Sequence, residues 1–239
     1  MRISTLLVFS IVLSSPVAFA DAISSTKPQP SDSEAAAKCA RLSAVNRARG
    51  NRTLVIAFEG LASYSGSATQ AAYQAHALAL RGQKDTQSAG FGMGGFVARG
   101  LMIPVIASSA SKFDFLVFPY TATGTAHTCA LEWMKVPGRR LILAGHSFGG
   151  MSLVRVTEEL AKRNVKVTEV ISIDPRSWTG MGIYRARGTD RWENYFQFGG
   201  GLPGKSIPAA DVNLRLSGGH TGMPFQPAVR HALLRALAH

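Results

Sequence analysis

One stretch restricts the fold more than any other. Leu141-Ile142-Leu143-Ala144 runs directly into Gly145-His146-Ser147-Phe148-Gly149-Gly150, and a segment to Arg163 follows with Leu153, Val156 and Leu160 on one helical face. A short apolar run bounded by turn residues reads as a strand buried on both faces, and apolar positions recurring every three to four residues read as a helix. Gly145 and Gly149 leave room for a tight reversal between the two, with Ser147 at its apex and its side chain projecting above the sheet edge. A strand that turns at once into a helix packed on it belongs to a parallel sheet.

The rest of the chain repeats this alternation. Apolar runs at 54–58, 113–118, 141–144 and 169–173 predict four strands, residues 192–198 a fifth, and the alternating 212–216 a sixth with one wetter face. Helices are expected from Ser33 to about Gly50, over 68–81 up to Gly82, over 126–135 before Pro137-Gly138, over 149–163, and from about Pro227 to the C-terminus. The predicted class is α/β: a mostly parallel central sheet of about six strands with helices on both faces. With 239 residues, 46% of them apolar and 17% charged, there is enough apolar surface for one core. No internal repeat or dividing linker appears, so residues 33–239 are expected to form a single domain.

Residues 1–20 read as a secretory signal peptide. Arg2 supplies the positive start, residues 6–13 the apolar run, and Ala18-Phe19-Ala20 the small residues of a cleavage site after Ala20. The run is much shorter than the roughly 20 residues needed to span a bilayer. Residues 21–32, polar and containing Ser, Pro and Lys, read as a flexible leader. The protein is therefore expected to be secreted or periplasmic, where Cys39 and Cys129 are expected to be bridged. The formal charge is +12, but the Lys and Arg are scattered rather than gathered into a block interleaved with aromatics. Nucleic acid is not an expected partner, and a weak attraction to anionic membranes or cell-surface polymers is the most the charge implies.

A serine hydroxyl attacks a carbonyl only with a histidine to take its proton and an acid to orient that histidine. On a parallel sheet both should come from loops at the carboxyl ends of later strands. Asp174 directly follows Val170-Ile171-Ser172-Ile173, and His220 follows the sixth strand through Ser217-Gly218-Gly219. Asp190 and Asp211 close no apolar strand; Asp174 could instead cap the turn before Pro175. His146 should point away from its neighbour Ser147, and His127, His231 and His239 read as surface or packing residues. An oxyanion needs donors: Phe148 N–H is expected to be one, and Leu61 N–H the other, with Gly60 as its alternative. The glycines of 90–95 match G-x-G-x-x-G, but no strand precedes them, so no dinucleotide site is expected. A flap beside the site fits better, with Phe91, Met93 and Phe96 either lining an acyl pocket or equally belonging to the core. No spacing of His, Cys and Asp suggests a metal, and no cofactor is expected.

The segments GHSFGG (145–150), ISIDP (171–175) and LSGGHTGMP (216–224) resemble the α/β-hydrolase superfamily, on the side of its small secreted lipases and esterases. The stretch 193–216 is similar to the region such proteins place before the catalytic histidine, and the resemblance covers about residues 53–235. It implies a serine nucleophile, an acyl-enzyme, water as second substrate and an ester or lipid-like small molecule as the first. The short chain leaves no room for a helical cap domain, so an open site is expected. The same triad serves thioesterases, phospholipases and peptidases, and a hydrolase-like protein could also bind a surface partner without catalysis.

Overall fold

Apolar strands cannot remain in water, and the order in which they pair decides where a site can form. The computed structural model describes residues 39, 50–60, 95–109, 113–177, 182–198 and 204–239. The signal peptide, the leader, Leu61, Phe91, Met93 and the body of the helices expected before residue 82 lie outside the described residues.

Six strands form one sheet: β1 (Thr53–Glu59), β2 (Asp114–Pro119), β3 (Arg140–His146), β4 (Val167–Ile173), β5 (Thr189–Gln197) and β6 (Val212–Leu216). Their spatial order is β2-β1-β3-β4-β5-β6, and every neighbouring pair is parallel. The α/β class with a parallel six-stranded sheet is therefore as expected. The chain steps from β1 outward to β2, then returns across β1 to lay β3 on its other side. That reversal opens a crevice at the carboxyl ends of β1 and β3, the place where open α/β sheets bind ligands.

The helices are α1 (Ile103–Ser108), entered through a π-helical turn at Ala98–Met102, then α2 (Thr123–Met134), α3 (Gly149–Ala161) and α4 (Pro227–Ala238). Alternate residues of β1 face opposite layers, as the period of two requires. Val55 and Ala57 pack with Val105 and Ile106 of α1 and with Val229, Ala232 and Leu233 of α4. Leu54, Ile56 and Phe58 pack with Ala126 and Trp133 of α2 and with Leu153, Val156 and Leu160 of α3. Helices thus cover both faces, and among the described residues the two cores lie on opposite sides of the sheet.

Several details depart from the sequence reading, among them β5, which starts at Thr189 rather than at 192. Helix α2 starts at Thr123, three residues before the expected Ala126. The helical segment after Gly95 was not expected, because Gly100 and Pro104 interrupt its pattern. Pro104 follows directly on the π-helical turn, whose looser winding precedes the proline ring and its missing N–H. The buried set Ala98, Leu101, Met102 and Val105 carried the helical period all along.

A polar cluster fastens α4 to the sheet. Arg235 donates to both Glu193 carboxylate oxygens at 2.7 Å, Arg191 Nε donates to one at 2.7 Å, and the Tyr195 hydroxyl to the other at 2.6 Å. Burial alone would raise the Glu193 carboxyl, but these hydrogen bonds outweigh it and hold it below the usual range. Cys39 and Cys129, the latter on α2, form a disulfide that joins positions 90 residues apart, with both side chains buried. In the chain-entropy description a loop of that length contributes about 4–5 kcal/mol by restricting the unfolded chain. The double variant Cys39→Ser/Cys129→Ser should accordingly lose about 4 kcal/mol of unfolding free energy in urea titrations. A loss below about 1 kcal/mol would show that the bridge does not constrain the unfolded state.

Candidate active site

Ser147 leaves β3 at once and enters α3 two residues later, too short a path for ordinary backbone angles. Its φ is +56°, in the left-handed region that side chains other than glycine rarely adopt. Such a residue costs of order 1–2 kcal/mol and persists where its surroundings hold it. Here Ser147 N–H donates to Ile173 O at 3.1 Å, while Ser147 O accepts from Gly150 N–H at 2.9 Å and from Arg176 N–H at 2.7 Å. The glycines around it are places of close approach. A Cβ on Gly145 would stand 2.6 Å from Gly149 O, and one on Gly149 would stand 2.5 Å from Phe58 O. A Cβ on Gly60 would stand 2.6 Å from Ser147 Cβ.

Asp174 ends β4 in a similar left-handed turn, at φ +41°. Its N–H donates to Tyr195 O at 2.6 Å, and its Oδ1 accepts from Gln197 N–H at 3.3 Å. Gly204 passes so near that any side chain there would overlap Oδ1. The other oxygen, Oδ2, accepts from His220 Nδ1–H at 2.5 Å and lies 3.4 Å from the Arg176 guanidinium. His220 opens a 3-10 turn (His220–Phe225), and its Nε2 accepts from the Ser147 hydroxyl at 2.9 Å. Ser147, His220 and Asp174, 46 and 73 residues apart along the chain, thus form one unbroken hydrogen-bonded line. Asp174 is fully buried, Ser147 is 6% exposed, and the His220 side chain reaches solvent at 20%, so the line opens outward at the histidine.

The competing residues have other occupations. Asp190 pairs with Lys166 at the surface, and Asp211 binds Arg185 and the N–H of Trp192. His231 and His239 are exposed, and His127 lies between α2 and α3. His146 does turn from the serine: its Nε2–H donates to the backbone carbonyl of His220 at 2.9 Å. The two rings stack at 4.6 Å, so His146 supports the turn that carries His220. Burial, followed by the neighbouring His220, pushes the His146 imidazole down to about 3, which keeps it neutral.

Of the expected oxyanion donors, Phe148 follows Ser147 at the N-cap of α3, where backbone N–H groups and the helix dipole favour negative charge. Leu61 lies outside the described residues, and its alternative Gly60 packs directly against Ser147. Of the three aromatic and Met residues expected to line an acyl pocket, Phe96 is described, and its ring meets His146 edge-on at 6.1 Å. Two contributors escaped the sequence reading. One is the support from His146 to His220. The other is Glu59, a fully buried carboxylate at the end of β1 that accepts from Val97 N–H at 3.0 Å and Ala98 N–H at 2.8 Å. Its signal was present as a single acid closing the apolar run Leu54-Val55-Ile56-Ala57-Phe58. Burial pushes this carboxyl up to about 7, against the hydrogen bonds from the 96–98 backbone.

No family model matches the chain, and no curated protein is similar to it. Among solved structures it is similar to one from Xanthomonas campestris pv. campestris, provisionally described as a hydrolase of the alpha/beta superfamily. The TM-score is 0.39 at 15% identity, over 79% of this chain and 96% of that one.

His146 and Glu59 act oppositely on stability. The unfolded chain protonates His146 near its ordinary 6.5 and the folded one only near 3, so that contribution is lost as pH falls below 6.5. Glu59 holds its proton up to about 7 when folded but only to 4.5 when unfolded, so its contribution is lost as pH rises through that interval. Between pH 5 and 6 the two offset. Relative to wild type, His146→Gln should lower the slope of unfolding free energy against pH by roughly 1 kcal/mol per unit, and Glu59→Gln should raise it similarly. Urea unfolding at the two pH values reads both, and slopes unchanged from wild type would contradict the assigned titrations.

Proposed function

We propose that this protein is a serine hydrolase of the α/β-hydrolase superfamily that cleaves carboxylic esters through an acyl-enzyme. The observation that carries the reading is the continuous line from the Ser147 hydroxyl through His220 to the buried Asp174, with the serine on a left-handed turn between β3 and α3. Chain order Ser, Asp, His and a parallel sheet beneath them are the arrangement of α/β-hydrolases.

In this reading, His220 Nε2 takes the Ser147 proton as Oγ attacks the acyl carbonyl. Asp174 holds the Nδ1–H tautomer and stabilises the imidazolium that forms. The tetrahedral oxyanion is received by Phe148 N–H, with a second donor from the segment after β1, either Gly60 or Leu61. His220 then gives its proton to the leaving alcohol. Water, activated by the same histidine, attacks the acyl-enzyme, and its collapse releases the carboxylic acid and restores Ser147. The neutral His146 beneath suits this cycle, because a second fixed positive charge there would oppose formation of the His220 imidazolium.

Export is part of the proposal. It is supported by the N-terminal charged and apolar segments and is compatible with the Cys39–Cys129 bridge. The mature chain recovered outside the cytoplasm should begin at Asp21, as N-terminal sequencing would establish; a chain beginning at Met1 would contradict it.

The activity is tested with a fluorophosphonate followed by intact mass and peptide mapping, and by turnover of p-nitrophenyl esters of graded chain length. A single adduct on Ser147 is expected. Ser147→Ala should lose ester turnover by about 10⁴-fold or more while unfolding at nearly the wild-type midpoint, and Asp174→Asn should lose on the order of 10⁴-fold. Undiminished hydrolysis by Ser147→Ala would overturn the assignment.

A further inference from the structure

A carboxylate removed from water costs several kcal/mol unless it is well bonded, so a buried acid that takes no part in proton transfer calls for another reason to be there. Glu59 is such an acid. Its two oxygens each accept one backbone N–H, Val97 to Oε2 and Ala98 to Oε1, where the chain enters the helical segment leading to α1. The first N–H groups of a helical segment have no partner within it, and a carboxylate offers one acceptor to each of two adjacent groups. Gly95 makes room for this grip, since any side chain on it would overlap the Glu59 carboxylate.

The other end of the same short segment bears on the nucleophile. Phe58 O backs Gly149, and Gly60 lies so close to Ser147 that a Cβ on it would stand 3.2 Å from the serine Oγ. Residues 58–60 are thus clamped between the serine turn on one side and the bonded backbone of 97–98 on the other. Resting on the hydrolase reading above, we propose that Glu59 is a positioning residue: by gripping Val97 and Ala98 N–H it pins Gly60 against Ser147 and sets the wall from which the acyl carbonyl is attacked. Displacement of such a wall by about 1 Å costs up to about 100-fold in rate, because attack depends steeply on the alignment of the reacting atoms. Substrate binding further from the carbonyl is not affected by it.

Two variants of the mature chain test this. Glu59→Gln keeps the shape but replaces one acceptor by an NH2 group aimed at a backbone N–H. Gly95→Ala leaves the acid intact and pushes it from its seat. Active sites are counted by fluorophosphonate titration, so that partial unfolding does not pass for slow chemistry. With a short-chain p-nitrophenyl ester, kcat per titrated site should fall by about 10- to 100-fold, with KM within about twofold of wild type. The rate of Ser147 labelling should fall in parallel. A purely structural role would reduce the number of titrated sites and leave kcat per site unchanged, and that result from a folded Glu59→Gln would overturn the proposal. If Glu59→Gln does not fold, Gly95→Ala decides by the same two outcomes. Wild-type protein that is not labelled at Ser147 would remove the hydrolase reading and the positioning role together. Labelled wild type beside equally reactive variants would remove the positioning role alone.

Discussion

The site depends above all on one backbone distortion, the left-handed turn at Ser147, with a second such turn at Asp174 beside it. A strand buried on both faces must give way to a helix packed on that same strand within two residues, and no relaxed path is that short. The turn is held because three backbone hydrogen bonds meet at Ser147 and because Gly60, Gly145 and Gly149 let neighbouring backbone come within distances a methyl group would prevent. The strain is local, of order 1–3 kcal/mol, and the surrounding sheet is stiff enough to maintain it. From it follow the projection of the serine hydroxyl above the sheet and its alignment with His220, through which the line reaches solvent.

Around that turn, the polar groups divide by charge state rather than by distance alone. Asp174 is anchored by the Gln197 N–H on one carboxylate oxygen and by its own N–H on Tyr195 O, and it faces His220 with the other oxygen. His146, at the same depth, is kept neutral by burial and spends its N–H on the carbonyl of His220. Two histidines in ring contact therefore serve different ends: one can move a proton, and the other holds the backbone of the first. Glu59 is the counterpart on the β1 side, a buried carboxyl that burial pushes up to about 7 and whose oxygens meet two helix-entry N–H groups.

Much of this was legible in the order of residues. The six strands, the reversal at Ser147 and the positions of Asp174 and His220 at strand ends follow from apolar runs closed by Gly, Asp or Pro. Apolar runs report burial directly, and the period reports the element. Other features were hidden for physical reasons. The helical segment formed by the π-helical turn and α1 carries Gly100 and Pro104, which lower local propensity, and tertiary burial of Ala98, Leu101 and Val105 overrides it. Nothing local marked the partners of Glu59, because Val97 and Ala98 lie 38 and 39 residues away. His146 was read as facing away from the serine, which it does, but nothing local to it names the His220 carbonyl as its acceptor.

By itself, then, the sequence determined the class of fold and the kinds of side chain at each strand end. Both are written in short-range patterns: apolar period, turn residues and the chemistry available to serine, aspartate and histidine. The tertiary structure alone decided the strand order β2-β1-β3-β4-β5-β6, which sets Gly60 beside Ser147, and the meeting of Ser147, Asp174 and His220 in one line. It also decided which acid would be buried and which histidine would stay neutral. Desolvation and hydrogen bonding are properties of surroundings assembled from distant segments, and no local pattern contains them.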